Sequence, residues 1–120
     1  MSVGIVGGSV SPSTALTLNA QTGTTYTFVL TDANNTLVTA SNASAQTYTI
    51  PPNSSVAYPI GAQLNIIQIG AGQVSFAQGS GVTIASSGAT STAPKCRVQY
   101  SAATAIKVNT DLWYVTGDIA

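Results

Sequence analysis

At 120 residues, with three basic and three acidic side chains, no His and a single Cys, the chain has room for one hydrophobic core and carries no net charge. Charged residues make up 5% of it, against roughly 25% in an ordinary soluble protein, while 44% are hydrophobic, so disorder is excluded and the surface must be built from Ser, Thr, Asn and Gln. Three cations cannot track a phosphate backbone, three scattered carboxylates without His offer no acid-base pair, and one Cys closes neither a disulfide nor a metal shell.

Residues 1–13 are rich in Gly and Ser, with Val3, Ile5, Val6 and Val10 scattered among them. They have no basic region and no long apolar run, so neither a secretory signal nor a membrane helix is expected. The segment reads as an extended N-terminal arm whose four apolar residues dock on a partner. The domain proper is expected to span 14–120.

Leu16 and Leu18 alternate with Thr17 and Asn19, and Tyr26, Phe28 and Leu30 alternate with threonines, the period-two pattern of strands buried on one face. Asp32-Ala33-Asn34-Asn35 supplies a turn, and Leu37 to Ala40 returns as a short strand. Tyr48 and Ile50 form the next, stopped by Pro51-Pro52-Asn53 because proline donates no hydrogen bond to a sheet. Leu64 to Ile69 is the most strongly apolar β-branched run and is expected to be central. Its phase slips at Ile66–Ile67, so either a bulge intervenes or both faces are covered, with Ile67 and Ile69 facing a second subunit.

Gly70-Ala71-Gly72-Gln73 and Gln78-Gly79-Ser80-Gly81 read as hairpin turns of a meander through Val74, Phe76, Val82 and Ile84. Ser86 to Pro94 is a surface loop, and three strands follow, at Cys96 to Tyr100, Ala105 to Val108 and Leu112 to Val115. Short strands punctuated this often, with no helical period, define an all-β fold: a compact antiparallel β-sandwich or jelly-roll-like domain. Cys96 reads as a small buried hydrophobe, and most of the aromatics read as core. Tyr58 and one of the pair Trp113/Tyr114 are the rings best placed to be exposed. No catalytic residue, cofactor or metal site is expected, and neither nucleic acid nor membrane is an expected partner.

The pieces Ile50-Pro51-Pro52-Asn53, Pro59-x-Gly61 ahead of Gln68-x-Gly70-x-Gly72, and Tyr100-Ser101-Ala102-Ala103-Thr104 ahead of Trp113 and Gly117-Asp118 share an order. Over Thr25 to Ile119 they resemble a module of tailed-bacteriophage virion proteins, found in tail fibres, spikes and short head-associated proteins. The resemblance implies a β-rich homotrimer and no enzymatic activity. A short chain consisting of the module and an apolar arm resembles capsid decoration (cement) proteins. That implies a place on the exterior of the phage head, after synthesis in the host bacterial cytoplasm, with Val3, Ile5, Val6 and Val10 on the major capsid protein or other virion proteins. The alternative it implies is a receptor-binding tail-fibre, spike or head-fibre module, with Tyr58 and Trp113 as a platform for host-surface glycans.

Overall fold

The computed structural model describes residues 15–120. Nine strands and one short 3-10 turn follow in order: β1 Thr17–Gln21, β2 Thr25–Thr27, the turn Leu30–Ala33, β3 Thr36–Ala40, β4 Gln46–Ile50, β5 Gln63–Gln68, β6 Val74–Gln78, β7 Thr83–Ser86, β8 Ala102–Asn109 and β9 Leu112–Gly117. They form a six-stranded sheet in the order β1-β3-β5-β8-β9-β7 and a three-stranded sheet in the order β2-β4-β6. The chain is all-β, as expected. The expected arm, with Val3, Ile5, Val6 and Val10, lies outside the described residues, as does the boundary at Thr14.

The expected antiparallel arrangement is corrected. From β1 to β6 the chain passes from one sheet to the other and back, so β1, β3 and β5 run parallel in the larger sheet and β2, β4 and β6 run parallel in the smaller. β7 also pairs in parallel with β9, and only β5–β8 and the hairpin β8–β9 are antiparallel. A parallel pair needs a long crossover, and between β1 and β6 each such crossover carries a strand of the other sheet.

Gly70-Ala71-Gly72 and Gln78-Gly79 therefore turn corners between sheets instead of closing hairpins. The corners stack. The Ser41 N–H donates to Gln21 O, the Ile69 N–H to Ala40 O, and the Gly72 N–H to Asn42 O. A Cβ on Gly70 would stand 2.5 Å from Asn42 backbone atoms, and one on Gly72 would stand 1.8 Å from Ser44 O. Glycine is required there because two backbones meet. The buried Gln68 braces the same corner: its Nε2 donates to Gly70 O at 3.1 Å and its Oε1 accepts from the Val74 N–H at 3.0 Å. Gln78 does likewise for the next corner, accepting from the Ile84 N–H at 2.8 Å.

Both sheets contribute to one buried cluster. Val38, Leu64, Ile66, Ile84 and Trp113 come from the larger sheet, and Tyr48, Ile50, Val74 and Phe76 from the smaller. Phe28 lies within 6.2 Å, centre to centre, of the rings of Tyr26, Tyr48 and Phe76. Leu30, expected on the same face as Tyr26 and Phe28, is instead 54% exposed. Asp32 wins at this point: buried, it accepts from the Val29 N–H, the Tyr26 hydroxyl at 2.6 Å and Asn19 Nδ2, and meeting these donors curls the chain into the 3-10 turn.

The expected strand Cys96 to Tyr100 is also corrected. Cys96 makes one isolated bridge to Ile119, after which the chain turns. Ser101 accounts for the turn, accepting from the Val98 N–H through its Oγ and donating from its own N–H to Val98 O. The Ser101 hydroxyl also donates to Asp118, which Arg97 grips with two hydrogen bonds. The Arg97 bonds, then that of Ser101, hold the Asp118 carboxyl below its ordinary pKa.

Burial pushes the Tyr48 hydroxyl from its ordinary 10.0 up to about 12, and burial together with the bond to Asp32 does the same for Tyr26. A raised folded-state pKa contributes stability that is complete below pH 10 and is lost as pH rises through about 12. For the fully buried Tyr48 the shift corresponds to about 3 kcal/mol. Urea midpoints measured from pH 9 to pH 12 should therefore fall steeply, and Tyr48→Phe should flatten the fall. An equally steep fall in Tyr48→Phe would assign the alkaline sensitivity elsewhere.

Candidate interaction surface

Strand alternation sorts each sheet into an inner and an outer face. In β5, Leu64, Ile66 and Gln68 are buried, whereas Asn65 and Ile67 point outward. Pairing with β3 and β8 runs without a bulge across Ile66–Ile67, so the slip in apolar phase means that the strand is apolar on both faces. Ile67 is flanked by Thr39 and Ala102, and Ile69 lies one residue past the end of β5, its N–H on Ala40 O. Both are partly buried.

Ile67 belongs to a larger outer surface. One row across the sheet runs Leu18, Leu37, Asn65, Thr104, Thr116. A second runs Ala20, Thr39, Ile67, Ala102, and a third Gln63, Ile106, Tyr114, Ala85. None of these residues is charged. Leu18 and Tyr114 are 67% and 50% exposed. The outer face of the small sheet is of another kind, with the rows Thr25, Thr47, Ser75 and Thr27, Thr49, Ala77. One outer face is thus a hydroxyl lattice that water solvates readily, and the other is an uncharged surface on which Leu, Ile, Ala and Tyr outnumber the interspersed Thr39, Gln63, Asn65, Thr104 and Thr116.

Sequence reasoning found Ile67 through the phase slip and left Tyr114 as one of a pair of which one ring is exposed, but missed Leu18, Leu37 and Ile106. The signal was present in β8, where Ala103 and Ala105 alternate with Thr104, Ile106 and Val108, so that neither phase is polar. Tyr58 and Trp113 lie elsewhere. They pack edge to face in the core at 5.3 Å, 3% and 1% exposed, with the Tyr58 hydroxyl donating to Val29 O at 2.8 Å. The expectation that Tyr58 is exposed is corrected, and of the adjacent pair it is Tyr114 that faces out. These two rings present no platform. Tyr100, expected in the core, is 67% exposed.

Several titratable groups away from these faces are tied into the fold. Lys107 is buried, with Nζ donating to Asn53 Oδ1 at 2.6 Å and Tyr58 O at 2.7 Å, and Asp111 accepts from the Asn53 N–H at 2.8 Å. The Pro-Pro-Asn turn is thereby fastened to the β8–β9 hairpin. Burial, then the charge of Asp118, pushes the Cys96 thiol up to about 11. Among the described residues no three His, Cys, Asp or Glu side chains gather as metal ligands. Comparison with protein-family models, curated proteins and solved structures finds no match.

Proposed function

We propose that this chain is a structural protein of a tailed-bacteriophage virion: a decoration (cement) protein on the exterior of the head, associating as a homotrimer through the outer face of its six-stranded sheet. The contrast between the two outer faces carries this reading. Parallel sheets are usually covered on both faces, yet here the parallel strands β1, β3 and β5 present Leu18, Leu37 and Ile67 outward with no layer of the described residues over them. A second copy offers the same apolar, uncharged surface, and a face that lacks charge can be buried without stranding an ion. The two sheets around one core are read as a β-sandwich, with residues 1–13 as an arm that lays Val3, Ile5, Val6 and Val10 across neighbouring capsid subunits. Cement of this kind stabilises a shell through many weak contacts repeated by symmetry.

Light scattering on the purified protein should return three times the chain mass of 12.0 kDa, and the protein should bind undecorated heads. Protein that runs as a single chain at all concentrations and ignores heads would sink the proposal.

The alternative, a receptor-binding module for host-surface glycans, rests on Tyr100. This residue holds the left-handed backbone conformation, φ 70, which a bulky side chain rarely adopts, and its N–H donates to Gln68 O at 2.6 Å. Such a ring, presented at a cost in backbone strain, is suited to stacking on a sugar. Binding to host cells that Tyr100→Ala abolishes, in protein that ignores heads, would favour it.

A further inference from the structure

At the end of the molecule that carries the 3-10 turn, a cleft of about 340 Å³ is lined by Leu30, Thr31, Ala33, Asn34, Pro59 and Ala62. Ile60, next in the chain, is 62% exposed. A neighbouring cleft shares Ala33 and Ala62 and is lined also by Leu16. The chain enters the described structure at this place: Asn35 Nδ2 donates to Ala15 O at 3.0 Å, and the Thr17 N–H donates to Asn35 O at 2.9 Å. The first described residues thus lie beside the paired clefts.

We propose that the cleft between Leu30 and Pro59 is the resting site of this chain's own residues 3–10 in the free protein. The chemistries match. The segment carries Val3, Ile5, Val6 and Val10 and no charged residue, and the cleft is apolar with an uncharged amide and hydroxyl rim at Thr31, Asn34 and Asn35. Val10 is five residues from Ala15, a reach of roughly 17 Å when extended, ample for adjoining clefts. Tethering favours this segment over the same segment of a chain free in solution. A short linker gives an effective concentration on the order of 1 mM, far above protein concentrations in solution, so an intrinsic Kd of about 0.1 mM already fills the cleft to about nine-tenths. Seating in the cleft would shield the arm's apolar residues until a stronger partner competes for them. The inference concerns the free protein and does not depend on the trimer or the capsid.

A nitroxide on Ser9→Cys in the full chain tests it, since Cys96, buried with its thiol pKa raised, is shielded from labelling. Amide signals of Leu30, Ala33, Asn34 and Ala62 should be at least about fivefold weaker than in the same labelled chain with Val3, Ile5, Val6 and Val10 all replaced by Ser, given near-complete filling. Leu30→Asp should restore them. Equal intensities with and without the four serines, or broadening centred on Ile67 and Tyr114, would overturn the proposal. So would full broadening in a mixture of isotope-labelled chains without nitroxide and unlabelled chains bearing it, because the segment would then be seated on another copy.

Discussion

Ile67→Lys is expected to convert the proposed trimer into single chains of 12.0 kDa without unfolding them. In the isolated chain the new ammonium would stand outward between Thr39 and Ala102, where it can reach water, and exposed substitutions of this kind change stability by about 0.5 kcal/mol or less. In the proposed assembly the same charge would be buried among the three rows of the outer face, none of whose residues is charged. Burying an unpaired charge costs several kcal/mol, and symmetry repeats it in every copy. Each 1.4 kcal/mol is a factor of ten in affinity, so association should weaken by at least about a thousandfold. Thr49→Lys is the matched control, because it places the same charge on the hydroxyl face of the small sheet, beside Thr27 and Ala77. Light scattering should show single chains for the first variant and trimers for the second. Trimers in both would remove the apolar face from the interface, and single chains in both would point to the charge itself.

The strands and their inner faces were legible in the sequence because alternation reports burial directly: Tyr48, Ile50, Leu64, Ile66, Val74 and Phe76 are buried as their spacing requires. Strand direction was not legible. A period of two says which side a residue faces and nothing about whether its neighbour runs parallel, and Gly70-Ala71-Gly72 suits a hairpin as well as a corner. What separates the two is the partner of the glycines, the Asn42–Ser44 backbone, nearly thirty residues away in the sequence. Leu30 and Tyr100 failed for a different reason. At both, side-chain bonds outcompete the ladder: Asp32 with Tyr26, Asn19 and Val29 near Leu30, and Ser101 with Val98 and Asp118 near Tyr100. The outer face was half legible. The Ile66–Ile67 slip exposed it at one strand, but its extent emerged only when the register aligned Leu18 with Leu37 and Ile106 with Tyr114.

Gly72→Ala should be the most damaging Gly→Ala change among the described residues, with a loss of at least about 3 kcal/mol. The added Cβ would sit 1.8 Å from Ser44 O, 2.3 Å from Ser44 C and 2.7 Å from Asn42 O, all backbone atoms that no side-chain rotation can move. Relief requires the corner between β5 and β6 to lift off the corner between β3 and β4. Lifting breaks the 2.8 Å bond from the Gly72 N–H to Asn42 O and disturbs the Gln68 brace that fixes where Val74 begins β6. Gly61→Ala provides the comparison. Its φ of 90 disfavours any side chain, but nothing lies within 4 Å of the new Cβ, so only backbone strain of about 1–2 kcal/mol is added. Urea unfolding should rank Gly72→Ala well below Gly61→Ala, and with a total stability of about 5–15 kcal/mol the former would leave a marginal fold. Equal midpoints would mean that the corners separate at little cost. The stacked corners would then not be what holds the parallel strands of the two sheets in place.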